Sequence, residues 1–377
     1  LKSYKEQLAA QRLAIARGTR NLDSRNAAQA VYDAWSRGKG PRQRLQPYAA
    51  ASIPVPREAA ATLELAPDKD GRYWHLETDG QKVLDWMNKY GAEQNRKSRW
   101  SPSGWQALLA YTPAWPRLAA PDAGPWLLHE QLSFSRFKEL ITRLRADKAC
   151  GLDGFQADFL HVASDDVLEY YWALLLTCIE ESTFPSTWST VVAVLIPKKV
   201  HAPTRIDKLR DIWLTTIGSR IVGTFVRDRV FAPLDNRLLF AAAGFRQGRQ
   251  TLELIQELKL ALQQARHLHN SVYVLWVDLE KCFMTFPREA GLTAIDRCGA
   301  PPAVTSALRG LYAQAQGRYD SAHGMSAAFD ILRGFLQGAI ESPDFAKYCI
   351  NVLMEIMELR VIGWRWLDGA TTGARSL

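Results

Sequence analysis

The segment Val272-Tyr273-Val274-Leu275-Trp276-Val277 is a continuous run of β-branched, aromatic and leucine side chains that ends in a single carboxylate, Asp278. A strand wet on one face alternates apolar and polar residues, whereas an unbroken apolar run fits a strand covered on both faces. The run therefore predicts a buried strand that delivers Asp278 rigidly to its end. A second run, Val191-Val192-Ala193-Val194-Leu195-Ile196, is stopped by Pro197-Lys198-Lys199 and also reads as a strand. Between and around these runs the period is helical. Phe134, Phe137, Leu140, Ile141 and Leu144 form one stripe. Residues 159–181 read as one helix, and residues 252–266 as an amphipathic helix with Leu252, Ile255, Leu258 and Leu262 on its apolar face. From there helices alternate with short loops to the end.

With 377 residues, 47% of them hydrophobic and 23% charged, the chain has ample material for a large core of two or three units and does not read as disordered. The net charge of +8 is unevenly placed. Residues 1–45 hold ten bases and three acids, 10 − 3 = +7, so nearly all of the excess lies in one basic, helix-patterned arm. Such an arm fits either a polyanion-binding element or a solvated helix face. Residues 46–130 are rich in tryptophan and proline, including Trp74, Trp86, Trp100, Trp105, Trp115 and Trp126. Those rings fit the core of a compact helical unit, and also stacking on bases.

Cys150, Cys178, Cys282, Cys298 and Cys349 include no C-x-x-C pair, so neither a disulfide framework nor a zinc site is implied and a reducing compartment fits. His267 and His269 read as surface residues at a helix end. The amino terminus is polar and basic with no signal-peptide pattern, and the longest apolar run, residues 170–179, is short of the roughly 20 residues a bilayer needs. No membrane association is expected, and the location reads as intracellular, nuclear or cytoplasmic. The chain starts at Leu1 and stops on Gly373-Ala374-Arg375-Ser376-Leu377, so both ends read as cut.

Asp278 has two readings from the residues themselves. It can cap a helix starting at Leu279, or it can supply the hard oxygen ligand that Mg²⁺ takes in phosphoryl transfer. Its neighbours bear on the choice. In chain order stand K-x-x-G-x-D-G (Lys148 to Gly154), V-x-x-x-L-I-P-K-K (Val191 to Lys199), L-R-D-I-W-L (Leu209 to Leu214), G-F-R-Q-G-R-Q-T (Gly244 to Thr251), V-D-L-E-K-C-F (Val277 to Phe283) and R-G-F-L-Q-G-A-I-E-S-P (Arg333 to Pro343). Each block alone is weak, but the ordered series resembles the reverse transcriptase domain of non-LTR (LINE-type) retrotransposons, from about Phe134 onward.

The resemblance implies an α+β fold, a right-hand polymerase with a small antiparallel palm sheet backed by helices and a mainly helical region ahead of it. It divides the chain into a basic arm (1–45), a connector (46–130), fingers (131–270) and a partial palm (271–377). It makes Asp278 a catalytic metal-binding aspartate, with the Leu279 carbonyl assisting. Lys198 and Arg210 become bases on the incoming triphosphate, and Phe283 a steric gate against a ribose 2′-hydroxyl. Gln337 and Gly338 would contact the nucleotide, and Gly244, Phe245, Gly248 and Arg249 would lie near the template. The implied partners are an RNA template, a DNA primer and deoxynucleoside triphosphates, with Mg²⁺ as cofactor. An endonuclease upstream and a thumb downstream are the implied neighbours in the same polyprotein.

The chain departs from the family pattern at three points. Met284 stands where a second aspartate is usual, and Glu341 where a hydrophobic residue is usual. The Tyr/Phe-x-Asp-Asp turn is absent, so the reading is of a fragment cut before that block and expected to be inactive by itself. A non-catalytic nucleic-acid-binding remnant and a group II intron maturase-like enzyme are the alternatives. Downstream sequence separates the second.

Overall fold

The computed structural model describes residues 79–96, 101–110, 126–146, 148–197, 209–279 and 281–360, the single positions Ala114 and Arg117, and two short strands. The basic arm at 1–45, Lys198 and about half of the connector at 46–130 lie outside the described residues.

The two strands are β1 (Ile53–Pro56) and β2 (Trp74–Glu77), an antiparallel pair. Helix α1 (Gly80–Gln94) begins where Asp79 Oδ1 accepts from Lys82 N at 3.1 Å, a short acceptor that satisfies an orphan helix amide. Helix α2 (Pro102–Leu109) follows, so the described residues before Ser133 are mostly helical. Trp105 is buried, and Trp86 and Trp126 pack against the same core. Of the two uses open to these rings, core packing is the one observed.

Helix α3 (Phe134–Arg143) starts at the Ser133 cap and buries Phe137, Leu140 and Ile141, the stripe expected of it. The single helix expected over residues 159–181 is instead two, α4 (Ala157–Val162) and α5 (Asp165–Glu180). Ser164 is extended at the break, and Asp165 and Asp166 occupy the new first turn. Acids there complement the positive helix end, so a start signal lay inside an otherwise continuous apolar pattern.

The main sheet is built on β3 (Thr190–Pro197), the run expected as a strand. On one side β4 (Leu209–Leu214) pairs with it antiparallel, from Val192 opposite Leu214 to Pro197 opposite Leu209. On the other side β5 (Gln316–Ser321) runs parallel to β3, from Thr190 opposite Gln316 to Val194 opposite Asp320. The short β6 (Gly324–Met325) and β7 (Phe329–Asp330) pair antiparallel with β5. The order is β4-β3-β5-β6, with β7 also on β5, so the sheet is mixed and not antiparallel as expected. A parallel pair needs a long crossover, and the chain between β3 and β5 supplies one through several helices. Tyr319 on β5 packs its ring against Trp213 on β4 at 5.9 Å and Phe329 on β7 at 5.4 Å, which ties the strands together.

The crossover includes α6 (Ile217–Val226), α7 (Thr251–His267), the short α8 (Cys282–Thr285), α9 (Arg288–Arg297) and α10 (Pro302–Ala313); α11 (Ser342–Arg360) follows the sheet. Helix α7 spans the expected segment but turns a different face inward. Leu254, Ala261 and Ala265 are buried, while Leu252, Ile255 and Leu262 are exposed. Alanine permits closer helix approach than leucine, and a helix that is apolar on two sides does not declare which side is buried.

The strand expected at residues 272–277 is not formed. The segment carries no regular structure, and Tyr273, Leu275, Trp276 and Val277 are 96%, 83%, 70% and 74% exposed. A strand forms only with a ladder partner, and among the described residues none lies alongside. The apolar run therefore encodes the capacity to be covered, without its cover. No helix among the described residues is long and apolar enough to cross a membrane. All five cysteines are free, and His267 and His269 are exposed at the end of α7.

Candidate functional site

The K-x-x-G-x-D-G block is a clamp on the start of α6. Asp153 Oδ2 accepts from Ile217 N at 3.0 Å, and its other oxygen accepts from Phe155 N at 3.3 Å. A Cβ at Gly151 would stand 2.6 Å from Thr215 C, so only glycine admits that approach. Burial raises the Asp153 pKa, and the amide of Ile217 works against that rise. The block fixes the turn after β4, and with it the direction in which β4 presents Arg210 and Asp211.

Alternation along β4 exposes Arg210 and buries Asp211, whose carboxylate accepts from Tyr319 Oη at 3.1 Å. The segment 333–338 then crosses the end of β4. Trp213 N donates to Gln337 O at 2.8 Å. Gly338 has φ +120°, and a Cβ there would lie 2.6 Å from Trp213 O. The close approach that makes glycine necessary at 338 is thus to the backbone of β4. The same segment grips α8: Phe335 N donates to Phe283 O at 2.6 Å and Gly334 N to Phe286 O at 2.9 Å. A Cβ at Gly334 would meet Met284 O at 2.5 Å.

These contacts leave a cleft of about 280 Å³ between β4, α8 and the end of α1. Its lining includes Arg210, Phe283 and Gln337, three of the residues singled out from the sequence, drawn from three separate blocks. It also includes Tyr90, Asp211 and Lys281, to which sequence reasoning gave no role. Lys281 and Asp211 sit inside blocks that were recognised, so their position was a usable signal. Tyr90 lies on α1, where nothing in the local pattern pointed to a site.

The remaining predicted positions are distributed as follows. Phe245 is 61% exposed and meets Phe283 edge to face at 5.9 Å, which brings the loop before α7 to the edge of the cleft. Gly244 and Gly248 border open space, and Gly248 has φ +73°. Arg249 stacks 3.6 Å over Phe240 and pairs with Glu253 at 2.8 Å. Its guanidinium is therefore partly engaged within the loop, and its buried Nη2 has no hydrogen-bond partner among the described residues. Asp278 and Leu279 are exposed on the irregular segment ahead of α8. Neither lines the cleft; the Cys282 thiol, which does, is pushed up first by burial and then by the charge of Asp278.

Among the described residues no three His, Cys, Asp or Glu side chains group as a metal site. Asp278 and the Leu279 carbonyl by themselves do not fit a two-metal centre, because each hard cation needs several oxygen ligands from protein and substrate. Glu341 is one of the departures noted in the sequence. It is buried at the head of α11, and its Oε1 accepts from Tyr312 Oη at 2.6 Å. Burial raises its pKa against the opposing effect of that bond.

No family model matches the sequence.

Proposed function

We propose that the cleft is the nucleotide-facing part of a right-hand polymerase, and that the chain is a portion of a reverse transcriptase of the non-LTR retrotransposon kind. The observation that carries this reading is the meeting of Arg210, Phe283 and Gln337 in one cleft from blocks far apart in sequence. A polar end with Arg210 suits phosphate, because a guanidinium offers charge-assisted donors in a fixed fork. An aromatic ring at Phe283, braced by Phe245, suits a sugar-facing wall that selects by clash. RNA template and DNA primer are the proposed polymeric partners. RNA-directed DNA synthesis is assigned to the parent enzyme, since Asp278 alone does not make the metal centre that the reaction needs.

The test is calorimetric titration of this chain with a deoxynucleoside triphosphate. Arg210→Ala is expected to weaken binding roughly tenfold, the size of one charge-assisted contact. An Arg210→Ala variant that binds as the parent does would contradict the assignment.

A further inference from the structure

We infer that residues 272–277 are an interface with a second copy of this chain, in which the two segments pair as antiparallel strands about a two-fold axis between Val274 and Leu275. The inference is independent of the nucleotide reading of the cleft.

Tyr273, Val274, Leu275, Trp276 and Val277 are exposed in a row. Among the described residues, none of residues 271–277 makes a backbone hydrogen bond. The run from Val272 to Val277 holds only valine, leucine and aromatic side chains, with no charge, glycine or proline. Short segments of that composition, with their amides and carbonyls unpaired, take up a strand from another chain.

The register points to a copy of the same segment as that strand. A two-fold axis between Val274 and Leu275 sets Val272 of one chain opposite Val277 of the other, Tyr273 opposite Trp276, and Val274 opposite Leu275. Every apolar side chain then meets an apolar one. Side chains directly opposite share a face, so each face of the ribbon carries one tyrosine–tryptophan pair, a contact that stabilises paired strands. Beyond the run, Asp278 falls opposite Ser271. Parallel in-register pairing would instead set Asp278 beside its own copy, and like charges placed so are destabilising. The segment is thus its own complement in the antiparallel orientation, and the contact is isologous, using one patch on both chains. The patch is small, so association is weak and grows with concentration.

The test is sedimentation equilibrium of the full chain over a range of concentrations, in the parent, Leu275→Lys, Leu275→Pro and Tyr170→Lys, with circular dichroism to check folding. The parent is expected to pass from monomer towards dimer as concentration rises. Leu275→Lys adds a charge to the ribbon and Leu275→Pro removes a ladder amide; each is expected to weaken association roughly tenfold or more. Tyr170→Lys removes an exposed aromatic of α5 and is expected to associate as the parent does. Air oxidation of mixed Tyr273→Cys and Trp276→Cys chains is expected to join the two variants by a disulfide, traced by mass spectrometry, because opposite strand positions lie within its reach. The mixture decides the matter if neither Leu275 variant folds. A parent that stays monomeric at every concentration overturns the inference, as does association unchanged in both Leu275 variants, or a mixture in which each variant links only to its own kind.

Discussion

Glu341 illustrates how one side chain can carry a measurable signature. Its carboxyl is 1% exposed, and its pKa is raised first by burial, with the charge of Asp344 adding to the rise. Because the folded value lies above the unfolded one, the protonated form favours the fold. This contribution is complete below the ordinary glutamate range near 4.5 and is lost as pH rises through the raised value. Tyr312, bonded to it, is itself held well above its usual value by burial and then by Glu341, so it stays a donor throughout. Glu341→Gln keeps an acceptor for Tyr312 and removes the titration. The expected outcome is a variant whose thermal midpoint falls less than the parent's between mildly acidic and mildly alkaline pH. Asp153 and Asp344 are also raised by burial, and they remain in both proteins, so their share cancels in the comparison. Identical pH profiles would show that Glu341 does not titrate differently on folding. At the cleft, Phe283→Ala is expected to improve binding of a ribonucleoside triphosphate relative to its deoxy counterpart. Relief of a single steric clash corresponds to about 1–3 kcal/mol, roughly ten- to two-hundred-fold. Competition between the two nucleotides measures it, and an unchanged ratio would leave Phe283 as an ordinary packing aromatic.

Between elements, the docking of α1 on the sheet depends on Gly91. A Cβ there would stand 2.4 Å from the Phe329 ring, and Phe329 is itself packed on Tyr319 and Trp213. Gly91→Val is expected to cost about 1–3 kcal/mol through overpacking and to weaken triphosphate binding by shifting Tyr90. Chemical denaturation and the titration above check both effects, and a variant as stable as the parent would show that α1 is loosely seated. Local pattern carried much of this level. The α3 stripe and the β3 run were legible, because each is encoded within its own few residues. What was not legible depends on distant partners. Strand β5, with Gly317, Tyr319 and Ser321 buried and Arg318 and Asp320 half-buried, alternates weakly and was passed over. The run at 272–277 looked more like a strand than β5 does, yet it lacks a neighbour among the described residues. At the site, residues inside recognised blocks could be named, whereas Tyr90 reaches the cleft only through tertiary docking of α1.

At the level of the whole molecule, one mixed sheet and its helices bring together blocks that are individually unremarkable. The segment 333–338 is the junction: it bonds β4 through Trp213, α8 through Phe283 and Phe286, and α1 through Gln94. Its two positive-φ glycines, Gly334 and Gly338, admit two of those approaches. Photo-crosslinking shows whether the resulting cleft binds a nucleoside triphosphate. A photoreactive deoxynucleoside triphosphate is irradiated with the full chain, and the modified peptides are mapped by mass spectrometry. Adducts are expected on peptides that contain Tyr90, residues 209–211 or residues 281–284, suppressed by unlabelled triphosphate and reduced in Arg210→Ala. Adducts confined to peptides outside the cleft, or labelling that unlabelled nucleotide does not suppress, would contradict it.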